Sequence, residues 1–264
     1  MVASAPSTGA RERALRALDQ LPPFSPVLNR LVASLAREDI SFAEIAASIE
    51  KDTVLAGNVL RVVNSSVYGR RGTISSVRHA VAMMGQVKLR NTVLGLSVSQ
   101  LWNRVRVPPG WPMAEFNRHS VACAILSDLL AQRCRVSYPE GAFAAGLFHD
   151  LGKLLLAVAC EPESGDLTHA DLSAAALEHW NIPVPVQEAV RFHHEPGSLD
   201  LSHVVHVADR YVNDAGLSAF PLAEPSAEAV PEAILATLGI EQDQAVRIVE
   251  ELQTEFELLQ KGKS

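Results

Sequence analysis

Over its 264 residues the chain shows no segment that alternates apolar and polar residues with period two over a useful length. Apolar residues recur three and four apart instead, and that spacing belongs to helices. Leu28, Leu31, Val32 and Leu35 make one stripe; Leu55, Val59, Val62 and Val63 make another; Leu89, Val93 and Leu96 lie within a helix over 86–102. Helix starts are marked as well. Ser25 precedes Pro26, Ser41 and Glu44 form a capping-box pattern with Ile45 and Ile49 inward, and Asp52, Ser75-Ser76, Thr168 and Pro183 open further helices. Gly85 and Pro196-Gly197 mark ends, and Tyr68 to Gly72 a turn. The fold class is all-α.

The run Val107-Pro108-Pro109-Gly110-Trp111-Pro112 cannot be helical and is the clearest internal boundary. Residues 1–10 read as a disordered tail and Arg11 to Leu21 as a short helix. The main domain spans 11–215, with a helical N-terminal subdomain at 11–105 and a second helical subdomain at 112–215. The second contains helices at about 113–134, around 142–159, from Thr168 to His179, from Pro183 to His194, and at 200–214. Residues 216–264 form a C-terminal extension. In it a proline-spaced loop, 221–231, leads to two helices, the last with Val246, Val249, Leu252, Phe256 and Leu259 on a face that packs on its own domain.

A formal net charge of −7 argues against broad binding of nucleic acid or an anionic membrane. The one basic cluster, Arg70, Arg71, Arg78, Lys88 and Arg90, reads as a solvated face or a docking surface for an acidic partner. Cys123, Cys134 and Cys160 are odd in number and lack CxxC spacing, as expected of reduced core thiols in a cytoplasmic protein. No secretory signal is visible, and no apolar run is expected to reach the ~20 residues that span a bilayer.

Within this apolar background sits Gly146-Leu147-Phe148-His149-Asp150-Leu151-Gly152-Lys153. An ionised carboxylate in an apolar helix needs a partner or a metal. Lys153, four residues after His149, shares its helix face, and an Asp150–Lys153 ion pair is the simplest remedy. Eight of the nine histidines follow the proline break, however. Glu115 and His119 are four apart. His169 lies in the first turn of its helix, His193 and His194 are adjacent at a helix end, and His203, His206 and Asp209 recur every three residues. Taken singly, each is a core or surface histidine. Together, five helices offer imidazoles or carboxylates, as bundles do when they build metal sites from facing helices. Histidine and aspartate without thiolate suit Fe, Mn, Zn or Ni, as one or two ions. Two ions could activate a water and clamp a phosphoryl oxygen, with Lys153 neutralising phosphate charge.

His119, His149-Asp150, His193-His194 and Asp209 together resemble the HD superfamily of metal-dependent phosphohydrolases. Leu21-Pro22, Asn64 to Gly69, Ile74-Ser75-Ser76-Val77 with Ala80-Val81, Met84-Gly85, Phe192 to Pro196, and Val207 to Arg210 are similar to the HD-related output domain, HDOD. The resemblance covers about 15–215. It implies a two-part helical fold and a regulatory role in bacterial signalling, often without catalysis. His119, His149, Asp150, His193, His194 and Asp209 match metal-ligand positions of the HD-GYP phosphodiesterases of cyclic di-GMP; Glu115 and Lys153 match too, and His169 stands for a further ligand histidine. The Gly-Tyr-Pro signature is absent: Pro196 to Asp200 stand in its place.

Two functions follow from the resemblance. One is a signalling output module with a metal at a sensory or vestigial site, binding a protein partner or a small ligand such as a phosphate compound, with no nucleic acid or membrane as partner. The other is a metal-dependent phosphohydrolase, with Asp150 and Lys153 as catalytic residues and a cyclic dinucleotide as a candidate substrate.

Overall fold

The computed structural model describes residues 8–36, 42–65, 73–164, 167–197, 201–220 and 238–261. Helices account for the architecture, and no strand forms among these residues beyond a single bridge between Ser164 and Leu167. The helices are α1 (Thr8–Arg16), α2 (Pro26–Ala36), α3 (Phe42–Lys51), α4 (Thr53–Val63), α5 (Val77–Met84), α6 (Gln86–Trp102), α7 (Met113–Ala131), α8 (Ala142–Phe148), α9 (Leu151–Ala159), α10 (His169–His179), α11 (Val184–Arg191), α12 (Leu201–Asp214) and α13 (Gln242–Lys261).

The marked caps act as caps. Ser25 Oγ accepts from the Leu28 amide at 3.1 Å, Asp52 Oδ1 from Leu55 at 3.0 Å and Ser76 Oγ from His79 at 3.2 Å, and Thr168 Oγ1 accepts from Asp171 at 3.1 Å. Asn64 works across the chain instead. Its amide donates to the Ile74 carbonyl at 2.7 Å and its oxygen accepts from the Ile74 amide at 2.7 Å. One side chain thereby ties the end of α4 to the approach to α5.

Helices α2 to α5 pack on one another, and α6 lies between them and α7–α8. From Leu89 onward α6 is buried on nearly every side, which is why it has no polar face. The second group centres on α7, which packs on α8, α12 and α13, while α10 packs on α9 and α11. One continuous apolar core joins the two groups.

Several expectations change. Residues 8–10 are already helical, and α1 packs chiefly on α9 and α10, with Arg13 paired to Glu161. The helix after the proline break stops at Ala131, and α11 stops at Arg191, short of His194. The stretch Pro139–Ala159 is 21 residues long and apolar enough to cross a membrane by length and composition. It is a mostly buried core segment here, split at His149–Asp150 into α8 and α9. In α13, Val246 is exposed, and Ile248 is buried beside Leu252, Leu258 and Leu259. Arg90 is no surface cation: it is buried and donates to the Glu140 carbonyl at 2.9 Å. Lys88 is paired with Glu255 of α13 at 2.7 Å. Cys160 is exposed rather than in the core. Residues 1–7, Ser41, the turn at 68–72 with Arg70 and Arg71, Ser198 to Asp200, and 221–237 lie outside the described residues.

Candidate metal centre

Two glycines let the helices that carry the polar residues approach. A Cβ on Gly146 would lie 2.6 Å from the Cys123 carbonyl oxygen and from Ser127 Oγ, so α8 can lie against α7 only with glycine there. A Cβ on Gly152 would lie 2.0 Å from the His169 carbonyl oxygen. The first approach brings His149 to His119; the second brings Asp150 to His169. Asp150 leaves helical geometry at φ −99°, ψ 7°, and the Gly152 amide donates to Ser173 Oγ at 2.7 Å, tying the start of α9 to α10.

His119, His149, Asp150, His169, His193, His194 and Asp209 then converge. His119 Nε2 lies 3.3 Å from His149 Nε2 and 3.2 Å from Asp209 Oδ1, and His149 Nε2 lies 3.6 Å from that oxygen. Asp150 faces two ways. Its Oδ2 is 3.6 Å from His119 Nε2 and 3.5 Å from His149 Nε2, while Oδ1 is 3.3 Å from His169 Nε2. His194 Nε2 is 2.8 Å from His169 Nε2, and the His193 ring is centred 5.0 Å from that of His149 and 5.5 Å from that of His169. Lys153 donates to Asp150 Oδ2 at 2.8 Å, so the simple ion pair is present too. It forms three residues apart, across the break in the helix.

The other face of each ring fixes its tautomer. A carbonyl oxygen only accepts, so the ring nitrogen bonded to it carries the hydrogen. His119 Nδ1 bonds Leu217 O at 3.2 Å, His149 Nδ1 bonds Gly146 O at 2.9 Å and His193 Nδ1 bonds Val190 O at 2.6 Å. His169 Nδ1 bonds Glu163 Oε1 at 2.6 Å. Four imidazoles therefore turn their Nε2 atoms toward a centre that also holds two carboxylates. Asp150 Oδ1 and His193 Nε2 are buried and find no hydrogen-bond partner among the described residues. Each such group costs about 1–3 kcal/mol if left so.

Charge within the cluster is strongly coupled. Burial works against ionising Asp150, but His149, Lys153, His169 and His119 outweigh it and hold the carboxyl well below its usual range. Asp209 is likewise held low, its burial offset by hydrogen bonds with His119 and His149. Burial works against a charge on His119, yet its anionic neighbours raise it well above its ordinary value. Cys123 is among those neighbours only as a thiolate. Burial pushes that thiol up to about 11, so at neutral pH Asp209 and Asp150 supply the negative charge. Burial and the neighbouring imidazoles push His193 well down and His194 down to about 4. Glu163 falls to about 2 because the His169 hydrogen bond outweighs its burial.

These residues fit divalent ions. Nitrogen ligands about 2.0–2.1 Å from a tetrahedral ion lie about 3.3–3.4 Å apart, and His119 and His149 present theirs at 3.3 Å. An inner set, His119, His149, Asp209 and Asp150, could hold one ion; an outer set, His169, His193, His194 and Asp150, could hold a second. Glu115 is half-buried one turn before His119, and no hydrogen bond or ion pair joins it to the cluster among the described residues. Of the face His203, His206 and Asp209, Asp209 enters; His206 supports from behind, its Nδ1–H donating to the His193 carbonyl at 2.7 Å.

Sequence reasoning missed three supporting residues. Cys123 sits with its sulfur 3.6 Å from His119 Nε2, and Asn213 donates to Asp209 Oδ1 at 2.9 Å. Each follows its partner by four residues on one helix face, a visible signal. Glu163 holds both the backbone amide and the ring of His169, at 2.9 and 2.6 Å, from an irregular loop that carries no periodic signal.

A helical bundle with an internal histidine–aspartate cluster shared by facing helices defines the class. The HD domain family matches residues 117–214, and the HDOD domain family matches residues 21–165. The HDOD match covers more than half of the chain, and the chain belongs to that family. The structure is similar to a Geobacter sulfurreducens HDOD domain protein of unknown function, with TM-score 0.74, 20% identity and 97% coverage of both chains. A Marinobacter aquaeolei VT8 protein assigned to signal transduction aligns with TM-score 0.73 and 19% identity, over 100% of this chain and 68% of that one. A Shewanella amazonensis SB2B protein assigned as a phosphohydrolase aligns with TM-score 0.67 and 22% identity, over 95% and 97%. These likenesses establish a shared fold. An uncharacterised protein of Treponema pallidum (strain Nichols) is 22% identical over 278 residues, covering 91% of this chain, and the chain spans 50% of that relative's length.

Proposed function

We propose that this chain is a regulatory output module of bacterial signal transduction, of the HDOD type, with divalent metal held in a structural or sensory role. The observation that carries the metal is the convergence of four imidazole Nε2 atoms on two buried carboxylates, with Asp150 Oδ1 and His193 Nε2 left without a hydrogen-bond partner among the described residues. Bound divalent ions would offset the carboxylate charge and could polarise a phosphate oxygen or a water. The module's partner would be a signalling protein or a small ligand, phosphate compounds included. Family membership supports the signalling role, as does the similar fold of the Marinobacter protein.

A specific observation favours a second reading, metal-dependent phosphoester hydrolysis. Lys153, partly exposed, reaches from Asp150 into a cavity of about 690 Å³ bordered by Trp111, Phe220 and Glu163. Its ammonium is 5.6 Å from the Phe220 ring centre, and Trp111 and Phe220 are 5.8 Å apart. Such a cavity could receive a phosphoester beside the cluster. Elemental analysis of the purified protein, followed by a screen of phosphomonoesters, phosphodiesters and cyclic dinucleotides, separates the readings. Metal without turnover fits the module; turnover that Lys153→Ala abolishes, with metal retained, fits the hydrolase. Protein that carries no metal and accepts none sinks both metal roles.

A further inference from the structure

The inner half of the cluster contains a donor that histidine–aspartate chemistry does not require. His119 Nε2, His149 Nε2, Asp209 Oδ1 and Cys123 Sγ all lie within 4.8 Å of one another, and Cys123 is completely buried. His119 and Cys123 are one turn apart on α7, so both side chains leave the helix on the same side. The nitrogens are 3.3 Å apart, Asp209 Oδ1 is 3.2 and 3.6 Å from them, and Cys123 Sγ is 3.6 Å from His119 Nε2. A tetrahedral ion about 2.0–2.1 Å from nitrogen and about 2.3 Å from sulfur requires N···N of about 3.3–3.4 Å and N···S of about 3.6 Å. Four of the six separations match such an ion, and Cys123 Sγ lies within 4.8 Å of His149 Nε2 and Asp209 Oδ1.

A competing account exists. A buried thiol can donate a weak S–H hydrogen bond to a bare imidazole nitrogen, and 3.6 Å suits that as well. That bond would engage His119 alone and would leave His149 and Asp209, gathered beside the sulfur, without a part in it. A thiolate ligand engages sulfur, both nitrogens and Asp209 together.

We propose that Cys123 binds the inner ion as a thiolate, which makes the inner half selective for a thiophilic ion such as Zn(II) over Mn(II). This rests on metal binding by the cluster as proposed above. On binding, the S–H bond breaks, a sulfur–metal bond forms and the proton leaves to solvent; no electrons are transferred.

Co(II) is the probe, added to the 264-residue chain in which Cys134→Ser and Cys160→Ser remove the other thiols. The expected result is visible d–d bands together with a near-ultraviolet sulfur-to-cobalt charge-transfer band. Cys123→Ser should remove the charge-transfer band and keep the d–d bands. Circular dichroism of this variant and of Cys123→Ala verifies that the helices remain. Visible bands without charge transfer before the Cys123 change would overturn thiolate ligation and leave metal binding standing. A charge-transfer band that survives Cys123→Ser would overturn the assignment to Cys123. No cobalt bands at all would overturn this proposal and the metal reading together.

Discussion

The two halves of the cluster share Asp150 and differ in nearly everything else. The inner half, His119, His149 and Asp209, is walled in by α7, α8 and α12, with both imidazoles almost wholly buried. The outer half, His169, His193 and His194, is mostly imidazole and reaches the surface at His194. Burial raises the cost of unpaired charge inside and slows exchange with solvent. The inner half should therefore hold its ion tightly and the outer half exchangeably. The same division would suit a sensor, in which one ion would build the site and a second would report what reaches it.

The largest expected effect comes from the residue the halves share. A ligand that binds only the folded state, at a hundred times its dissociation constant, stabilises by about 2.7 kcal/mol. In a chain of this size that raises Tm by roughly 5–10 °C. Asp150→Ala should abolish this metal-dependent rise, as read by differential scanning fluorimetry with Mn(II) or Zn(II). A rise that persists would mean the halves do not depend on Asp150. Gly152→Ala comes next, since its methyl collides with the His169 backbone. It should cost about 1–3 kcal/mol in urea denaturation, as overpacking does, and weaken metal binding by pushing α9 from α10. Gly57, where an added Cβ meets nothing within 4 Å, is the control site, and Gly57→Ala should not lower stability.

Third, His119→Ala should remove most of the metal-induced rise in Tm and His194→Ala only part of it. Equal losses would erase the distinction between inner and outer halves. The smallest effect concerns Glu163. Its folded value of about 2 lies below the usual 4.5, so its contribution to stability is full above pH 4.5 and is lost as pH falls toward 2. Metal-free Glu163→Gln should be slightly less stable than the parent at pH 7, and the gap should close as pH falls through that window. A gap that widens on acidification would contradict the sign.

Much of this is legible in the sequence because it is local. Ser25, Asp52, Ser76 and Thr168 cap helices through bonds to residues three positions on, and α6 begins and ends where periodicity places it. The histidines and aspartates of the cluster are legible because polar groups on apolar helix faces demand a common explanation. The break at His149–Asp150 is not, because it is imposed by packing on α7 and α10 through Gly146 and Gly152. Cys123 reads as one more core thiol, and its place one turn after His119 gains meaning only when α8 and α12 bring His149 and Asp209 beside it. Glu163 reaches His169 from a loop, where neither spacing nor composition marks it. Arg90 reads as one more surface cation, but α6 is buried on nearly every side and takes the guanidinium inside.

Metal content per chain tests the central claim most directly. Protein purified without chelators, saturated with Zn(II) and freed of excess ion, should carry two ions by elemental mass spectrometry. His194→Ala should carry one, and Asp150→Ala should retain none through the same wash. Wild-type protein at background metal, or an Asp150→Ala variant that keeps two ions, would contradict a two-ion centre built around that carboxylate.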